Sequence, residues 1–357
     1  MNLRLGLLLV VVWGRLFAGE RLVPAVDGPF EFSGYVRKAI DETRGSVRFD
    51  RIIEIPARGY QWDNPGVRIR FATDAKRITA RLFYSEKHIS KSARNGVGLF
   101  IVDGASDPAW RYDLAPGVIV RAAKEVDVVL PVPDSGGRYH DYEIVLPYGD
   151  SVEFDGLRVD DEARFRKPTA RPGIRYVAYG DSITQGFDAT NIGNTYAYLV
   201  AQARNWELIN MGCGGRSSNE SDGQLIASVA PKVVTILMGV NDWQGGALPA
   251  RCQANLKATI AAIRAQLPDI PIFAITPLWV APTWKPERAA HPLDDYRRQI
   301  RDLVTAAHDS NLHLIEGPEL IDPDPTLFSK VAVHPNDAGF AMMARRLVAR
   351  IEAASVR

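Results

Sequence analysis

The sequence predicts a two-domain protein in which a β-sandwich of jelly-roll type precedes an α/β domain with a mostly parallel sheet. Three observations predict this fold class. The first half carries many short alternating segments between turn residues, the second half alternates apolar runs with helical stretches, and a charged stretch with two prolines separates them. A length of 357 residues suits two domains.

The composition excludes several classes of protein. Hydrophobic residues make up 46% and charged residues 24%, so a disordered chain is excluded. The 43 basic and 42 acidic side chains give a net charge of +1, which leaves no excess for neutralising phosphates and argues against a nucleic-acid partner. Two cysteines, Cys213 and Cys252, are too few for a disulfide framework or a cysteine-based zinc site.

The N-terminus has the pattern of an export signal. Arg4 precedes an apolar run from Leu5 to Trp13, and the small residues Ala18 and Gly19 follow. We therefore predict a signal peptide over residues 1–19 and a secreted or periplasmic mature protein; the alternative is an ordinary buried first strand. No later segment reaches the roughly 18 apolar residues of a membrane span, so none is predicted.

The first domain is predicted over residues 27–162. Segments of five to eight residues alternate apolar and polar positions, as in the stretch where Ile78, Ala80 and Leu82 share one face. The predicted strands cover residues 48–55, 66–71, 78–83, 98–102, 125–132, 141–145 and 152–159. Many short strands without a long helical pattern indicate a sandwich of jelly-roll type.

A linker is predicted over residues 163–174, and the second domain over 175–357. Near-continuous apolar runs predict five strands at 176–179, 208–211, 233–238, 272–275 and 312–315. Helical patterns cover 195–204, 249–266, 293–311 and 336–353. This alternation indicates a parallel sheet with helices on both faces.

Polar or glycine-rich segments follow three of these strands, where ligands bind in open α/β sheets. The first segment, Gly180–Gly186, contains Ser182 at a strand-to-loop corner, a position typical of an activated nucleophile. The alternative is a helix N-cap formed by Asp181 or Ser182. The second, Asn210–Ser218, has three glycines in four positions, which lets backbone N–H groups face a ligand; the alternatives are a flexible turn and a phosphate-binding loop.

The third segment contains Asn241, whose side-chain amide is a candidate oxyanion donor; the alternative is an Asn-Asp turn. A fourth segment precedes the last predicted helix and contains His334, a candidate general base. A lone histidine is more often structural, but the other three segments favour the base.

In this order, the four segments resemble those of the SGNH (GDSL-type) hydrolases over residues 180–339. The resemblance implies an α/β/α three-layer domain with a five-stranded, mostly parallel sheet. It also implies that Ser182 is the nucleophile and His334 the base. The backbone N–H groups of Ser182 and Gly215 and the side chain of Asn241 would form the oxyanion hole.

A β-sandwich ahead of such a domain is similar to the two-domain esterases of carbohydrate esterase family two. This resemblance implies an acetyl xylan esterase-like enzyme that removes acetyl or other short acyl groups from polysaccharide or oligosaccharide hydroxyls, with no cofactor or metal. Tryptophans in loops stack on sugar rings or anchor the loops. The predicted substrate-binding residues are Asp181, Trp243, Trp279 and Trp284, and Tyr60 and Trp62 are candidates for the same cleft.

One position departs from the family pattern. The family usually has an aspartate three residues before the histidine, where this chain has Val331. We therefore predict a Ser182–His334 dyad. Its imidazole would be oriented by a main-chain carbonyl near Val331, or by the carboxylate of Asp322 or Asp324.

Two other functional classes remain open. One is a lysophospholipase, thioesterase or arylesterase on the same fold, although no long apolar insertion follows Val240. The other is a carbohydrate-binding protein with weak catalysis, against which the presence of all four candidate catalytic residues argues. The sequence does not predict the oligomeric state.

Overall fold

The computed structural model describes residues 19–50, 63–84, 97–113, 124–134, 137–149, 151–329 and 333–355. The predictions concerning Tyr60, Trp62, Val331 and the export signal before Gly19 lie outside these ranges. Within them, the first half of the chain forms two antiparallel sheets, and the second half forms one parallel sheet with helices. The predicted fold class is confirmed.

The two antiparallel sheets make up the sandwich. Their strands are β1 Glu20–Pro24, β2 Glu31–Ser33, β3 Arg37–Asp41, β4 Ser46–Asp50, β5 Arg68–Thr73, β6 Ile78–Tyr84, β7 Val97–Val102, β8 Arg111–Asp113, β9 Lys124–Val129, β10 His140–Val145, β11 Val152–Asp160 and β12 Phe165–Arg166. The first sheet has the order β3-β4-β11-β6-β9, with β1 paired to β11. The second has the order β12-β5-β10-β7-β8, with β2 paired to β5.

The sandwich core follows the predicted alternation. In β6, Ile78, Ala80 and Leu82 are buried, whereas the residues between them are partly exposed. On the facing sheet, the rings of Phe71 and Tyr142 stack with centroids 5.3 Å apart. Burial of such side chains on the inner faces of two sheets is what holds a sandwich together.

The sheets extend beyond the predicted limits of the first domain. Strand β1 lies ahead of residue 27 and pairs with β11. Strand β12 lies inside the predicted linker, where Phe165 is opposite Thr73 of β5. Further along that segment, Arg171 forms an ion pair with the buried Glu143 at 2.9 Å. The segment between the domains therefore packs against the sandwich.

The parallel sheet has the order β14-β13-β15-β16-β17, with strands β13 Arg175–Gly180, β14 Glu207–Gly212, β15 Val233–Leu237, β16 Ile272–Ile275 and β17 Leu312–Ile315. The helices are α1 Ser182–Gln185, α2 Tyr196–Arg204, α3 Glu220–Ser228, α4 Val240–Gly245, α5 Pro249–Arg264, α6 Leu293–Ala307, α7 Gly317–Leu320 and α8 Asp337–Ser355. All five predicted strands are present. None of these helices combines the length and the apolar character that crossing a membrane requires.

Helix α3 was not predicted from the sequence. Its first turn is polar, and Gly223 in its middle is typical of a turn rather than a helix. In the structure, a Cβ atom at Gly223 would lie 2.3 Å from the carbonyl oxygen of Thr259 in α5. The glycine is therefore the residue that lets α3 and α5 approach each other closely.

Helices cover both faces of the parallel sheet. Tyr176 and Ala178 of β13 belong to the buried cluster that contains α2 and α8 side chains, whereas Val177 and Tyr179 belong to the cluster that contains α3 and α5 side chains. Successive residues of the strand thus face opposite layers, as expected for a sheet buried on both sides.

The two halves of the chain share a hydrophobic core. Leu99, Ile101, Val145 and Tyr148 of the sandwich lie in the same buried cluster as residues of α2 and α8. The Tyr148 hydroxyl also donates a hydrogen bond to the Ala189 carbonyl oxygen at 2.9 Å. The sandwich is therefore packed directly against the α/β domain, next to the loop that follows α1.

A β-bulge in β11 generates the first testable prediction. Gly156 lies at this bulge with φ +122°, and a Cβ atom there would lie 2.2 Å from the Val23 carbonyl oxygen. We expect Gly156→Ala to lower the free energy of unfolding by more than the roughly 1–3 kcal/mol of a strained backbone conformation alone. Denaturant unfolding followed by tryptophan fluorescence measures this loss.

The matched control is Gly104→Ala. Gly104 also has a positive φ, +79°, but nothing lies within 4 Å of the added Cβ. This variant should lose less stability, because it has the backbone strain without the collision. Equal losses in the two variants would contradict the explanation.

Candidate active site

Ser182 lies at the carboxyl end of β13, as the first residue of α1. Asp181 caps this helix by accepting the Ile183 N–H at 2.9 Å. The strand-to-helix corner therefore holds Ser182 at the sheet edge where ligands bind in α/β folds. Asp181 therefore forms the predicted helix cap, and the Ser182 hydroxyl lies at the corner.

The imidazole of His334 reaches this hydroxyl. Its Nε2 atom lies 2.8 Å from Ser182 Oγ, although 152 residues separate them. His334 precedes α8 in a turn held by backbone hydrogen bonds, in which Ser329 N–H donates to the His334 carbonyl oxygen at 2.9 Å. The ring retains 15% of its side-chain exposure, so the pair is open to a small molecule.

The carboxylate beside His334 is Asp188, which the sequence analysis missed. Asp188 Oδ2 lies 3.1 Å from His334 Nδ1 and accepts a hydrogen bond from Ser329 Oγ at 2.6 Å. With Nδ1 donating to Asp188, Nε2 is the acceptor for the Ser182 hydroxyl proton. The backbone of Asp188 has φ +71°, a conformation in which aspartate is enriched among non-glycine residues.

The predicted alternatives for orienting the imidazole are wrong where the structure describes them. Asp322 accepts a hydrogen bond from Arg346 Nη1 at 2.8 Å, and Asp324 accepts the Thr326 N–H at 2.9 Å. Each carboxylate thus has another partner, and the carboxylate that hydrogen-bonds His334 is that of Asp188. The carbonyl near Val331 lies outside the described residues.

A second carboxylate joins the Asp188 loop to the helix after His334. Asp337, the first residue of α8, accepts hydrogen bonds from the backbone N–H and the hydroxyl of Thr190, at 2.8 and 2.6 Å, and from Asn194 Nδ2 at 2.8 Å. Because Thr190 follows Asp188 by two residues and Asp337 follows His334 by three, these bonds fix the two loops against each other.

The glycine loop after β14 packs against α1. Asn210 Nδ2 donates to the Thr184 carbonyl oxygen, and Asn210 Oδ1 accepts the Gly212 N–H, both at 2.8 Å. Gly214 N–H donates to Gln185 Oε1 at 2.9 Å. Gly215, with φ +77°, follows directly. The predicted oxyanion loop thus lies beside the helix that begins with Ser182.

Asn241 lies in the first turn of α4 and contacts the same loop. Its Nδ2 atom donates to the Arg216 carbonyl oxygen at 3.1 Å. Arg216 is itself buried and donates two hydrogen bonds to the buried carboxylate of Asp222. This carboxylate also accepts a hydrogen bond from the Tyr179 hydroxyl at 2.6 Å. This buried ion pair anchors the end of the loop, and no sequence pattern pointed to it.

Asp181 is not placed to contact a substrate. The residue is only 1% exposed, and this burial raises the pKa of its carboxyl group to about 7. The hydrogen bond from the Ile183 N–H and the charge of His334 lower that pKa, whereas the charge of Asp242 raises it. The predicted substrate-binding role of Asp181 is therefore corrected to helix capping at the corner.

The three tryptophans differ in their surroundings. Trp243 is buried, and its indole N–H donates to the His291 carbonyl oxygen at 3.0 Å, so it is a packing residue. Trp284 packs edge-on against Trp243, with ring centroids 5.5 Å apart. Trp279 packs against Phe328, 5.3 Å between centroids, on the loop that leads to His334. Trp279 and Trp284 are partly exposed and remain candidates for contacting a substrate.

Among the described residues, no group of three or more histidine, cysteine, aspartate or glutamate side chains is arranged to hold a metal ion. The chemistry available at this edge of the sheet consists of a hydroxyl, an imidazole, a carboxylate and several N–H donors. This set is suited to acyl transfer through a covalent serine intermediate.

Comparisons with known proteins agree with this architecture. The structure of a salicylyl-acyltransferase, SsfX3, from a tetracycline biosynthetic pathway aligns with 96% of this chain and 98% of its own, at 22% identity and TM-score 0.75. A putative GDSL-like lipase from Bacteroides ovatus matches over 94% of this chain and 98% of its own, at 19% identity and TM-score 0.73. A family two carbohydrate esterase from Cellvibrio japonicus matches over the same shares, at 16% identity and TM-score 0.66.

At these identities the structural matches establish the two-domain fold. A comparison with curated proteins found no match. The sequence itself matches one family model, described as the GDSL-like lipase/acylhydrolase family, over residues 178–342. That span begins within β13, ahead of Ser182, and ends within α8, after His334. Residues 178–342 therefore form a domain that matches the GDSL-like lipase/acylhydrolase family model.

Proposed function

We propose that the protein is a serine esterase that removes acetyl or other short acyl groups from carbohydrate hydroxyls. The observation that carries the proposal is the hydrogen-bonded series from Ser182 Oγ through the His334 ring to Asp188 Oδ2, at 2.8 and 3.1 Å. A nucleophile, a base and a group that orients the base are the set that activates a serine in a catalytic triad.

The first step forms an acyl-enzyme. Ser182 Oγ bonds to the ester carbonyl carbon while its proton passes to His334 Nε2. The carbonyl oxygen takes the negative charge and is stabilised by the N–H groups of Ser182 and Gly215 and by the Asn241 amide. The bond to the sugar oxygen then breaks, and His334 returns the proton to that oxygen.

The second step hydrolyses the acyl-enzyme. Water attacks the same carbonyl carbon and gives a proton to His334. The bond to Ser182 Oγ breaks, the serine recovers its proton, and the acid leaves. Through both steps, Asp188 holds Nδ1 protonated and stabilises the imidazolium, which a main-chain carbonyl would do less well because it lacks a full negative charge.

The carbohydrate part of the proposal has two supports. One structural neighbour is a family two carbohydrate esterase, and another such esterase, from Clostridium thermocellum, was solved in complex with cellohexaose. In this chain, Trp279 and Trp284 are partly exposed near the His334 loop and the α4 region, where aromatic faces would stack on sugar rings. Export of the protein from the cytoplasm is part of the same proposal and stays a prediction.

The nucleophile is tested with Ser182→Ala. We expect acetate release from acetylated oligosaccharides to fall by about 10⁴-fold or more, because no other group would form the acyl-enzyme. A fluorophosphonate probe should label the wild type and not this variant. Octanoyl esters hydrolysed faster than acetyl esters would favour the lipid or aryl ester alternative. Binding of the glycan without labelling or turnover would favour a binding protein.

The role of the Asp188 carboxylate in orienting His334 is tested with Asp188→Asn. We expect kcat on a small acetyl ester to fall by about 10²–10⁴-fold, because the amide no longer stabilises the imidazolium. Asp322→Asn and Asp324→Asn are the matched controls and should keep kcat within about threefold of wild type. A large loss in either control, with none in Asp188→Asn, would restore the earlier hypothesis for orienting His334.

The buried carboxyl group at position 181 predicts a pH dependence of stability. Asp181 keeps its proton in the folded protein up to about pH 7, whereas an unfolded aspartate ionises near about pH 3.9. The folded state therefore binds more protons between these values, and the free energy of unfolding falls as pH rises through this window. Asp181→Asn should lose less stability than wild type between about pH 4 and pH 7.5.

Asp324→Asn is the control for this measurement. Asp324 and Asp181 each accept an N–H two residues later at 2.9 Å, but Asp324 is exposed, and its hydrogen bond to Thr326 lowers its pKa. Its contribution is lost only as pH falls below about 3.9, so this variant should keep the wild-type slope above that value. Denaturant titrations at several pH values measure the slopes, and a wild-type slope in Asp181→Asn would refute the prediction.

A further inference from the structure

We propose that Asp63, a residue of the β-sandwich, is a positioning residue for the oxyanion hole of the α/β domain. It would act through Gln185 of α1 and the backbone of Gly214. The inference rests on the proposed esterase function and assigns the sandwich a part in the reaction beyond that of a spacer.

The contacts that carry this inference are buried. Gln185 Nε2 donates to Asp63 Oδ2 at 2.6 Å and to the Tyr148 carbonyl oxygen at 3.0 Å. Gln185 Oε1 accepts the Gly214 N–H at 2.9 Å. The side chains of Asp63 and Gln185 are completely shielded from solvent. A continuous series of hydrogen bonds therefore runs from the sandwich to the glycine loop.

The two acceptors in the sandwich determine which way the Gln185 amide faces. A carboxylate and a main-chain carbonyl accept hydrogen bonds and cannot donate them, so both require the NH₂ group of Gln185. The amide oxygen must then face Gly214. Without these acceptors, the amide is free to rotate and to present its NH₂ group to the Gly214 N–H, which would repel the loop.

The position of Gly214 matters because the next residue carries a proposed oxyanion donor. Within the α/β domain, the loop is also held at Gly212 by Asn210 Oδ1 and at the Arg216 carbonyl oxygen by Asn241. The hydrogen bond at Gly214 lies between these two and depends on the sandwich through Gln185. A shift of the Gly215 N–H by a fraction of an ångström weakens its hydrogen bond to the developing oxyanion.

The chemistry of Asp63 favours positioning over simple stabilisation. Burying a carboxylate has a free-energy cost that a neutral amide or an apolar pair of the same size avoids. What the carboxylate adds is a strong, acceptor-only contact with a single permitted orientation of its partner. That property is useful where a neighbouring N–H has to be held in one place.

The test compares Asp63→Leu and Asp63→Asn in the full-length chain with a small acetyl ester. Asp63→Leu removes the shorter, charged hydrogen bond and leaves Gln185 Nε2 with the 3.0 Å hydrogen bond to the Tyr148 carbonyl oxygen, which holds the amide less firmly. We expect kcat to fall by about 10–100-fold with KM within about twofold, a smaller loss than removing an oxyanion donor outright. Asp63→Asn keeps an acceptor oxygen of the same shape and should retain kcat within about threefold.

A second readout separates positioning from a loss of stability. A boronic acid forms an anionic tetrahedral adduct on a catalytic serine, and one hydroxyl oxygen of that adduct would occupy the oxyanion hole. Its affinity should fall in Asp63→Leu by about the same factor as kcat. A merely structural role would lower the unfolding midpoint but leave the kcat and the boronic acid affinity of the folded protein unchanged.

Glu207→Gln is the matched control for the domain junction. Glu207 Oε1 accepts the Gly34 N–H at 3.1 Å and thus joins the same two domains at the opposite end of β14 from the glycine loop. This variant should keep the wild-type kcat and boronic acid affinity, because it does not reach Gln185.

If Asp63→Leu does not fold, the inference is tested by exchanging the amide of residue 185 and the carboxylate of residue 63. Gln185→Glu places a second carboxylate against Asp63 and should lower kcat by about tenfold or more. Adding Asp63→Asn supplies an amide donor to the new carboxylate, whose other oxygen still accepts the Gly214 N–H, so kcat should recover at least about threefold. No recovery would overturn the inference in that case.

The outcomes distinguish this inference from the proposed function. Folded Asp63→Leu with wild-type kcat and boronic acid affinity overturns the role of Asp63 and leaves the esterase standing. A wild-type protein that neither hydrolyses acyl esters nor reacts with a fluorophosphonate at Ser182 rejects the esterase, and with it the role of Asp63.

Discussion

The hydrogen bond between Ser182 Oγ and His334 Nε2 is the contact on which the proposed chemistry of this protein depends. It joins a corner after the first strand of the parallel sheet to a turn before the last helix, 152 residues later. No local propensity can produce such a contact. It exists because parallel strands bring their carboxyl ends to one edge, and because α8 returns to that edge beside α2.

Keeping this bond at 2.8 Å requires that several loops hold fixed positions. Asp188 and Ser329 hold the far side of the His334 ring, and Asp337 ties the Asp188 loop to α8 through Thr190. The sandwich reaches the same region, since the Tyr148 hydroxyl contacts Ala189, the residue after Asp188. Each bond alone contributes only about 0.5–1.5 kcal/mol, but together they leave the imidazole one orientation.

Much of this arrangement was predictable from the sequence because periodicity and position carry it. Apolar runs predicted the five parallel strands. Glycine or polar segments after them singled out Ser182, the Gly215 loop and Asn241 as candidates, whose catalytic roles stay predictions. Asp188 was missed because no spacing rule links it to His334: its carboxylate reaches the ring only through two loops that fold over each other. The signal available was its position six residues after Ser182, on the loop that leaves the same corner. Asp63 and Gln185 were missed for a similar reason, since their contact depends on how the sandwich packs against the α/β domain.

In the proposed mechanism, Ser182 carries the acyl group during turnover. The most direct measurement is an acid quench of the enzyme during steady-state hydrolysis of an acetyl ester, followed by peptide mapping by mass spectrometry. Here we predict one acetyl group on the peptide that contains Ser182, formed and lost at rates that match turnover. An acetyl group on a different residue, or wild-type turnover of an activated acetyl ester with no acetylated peptide at any time, would contradict the proposed mechanism.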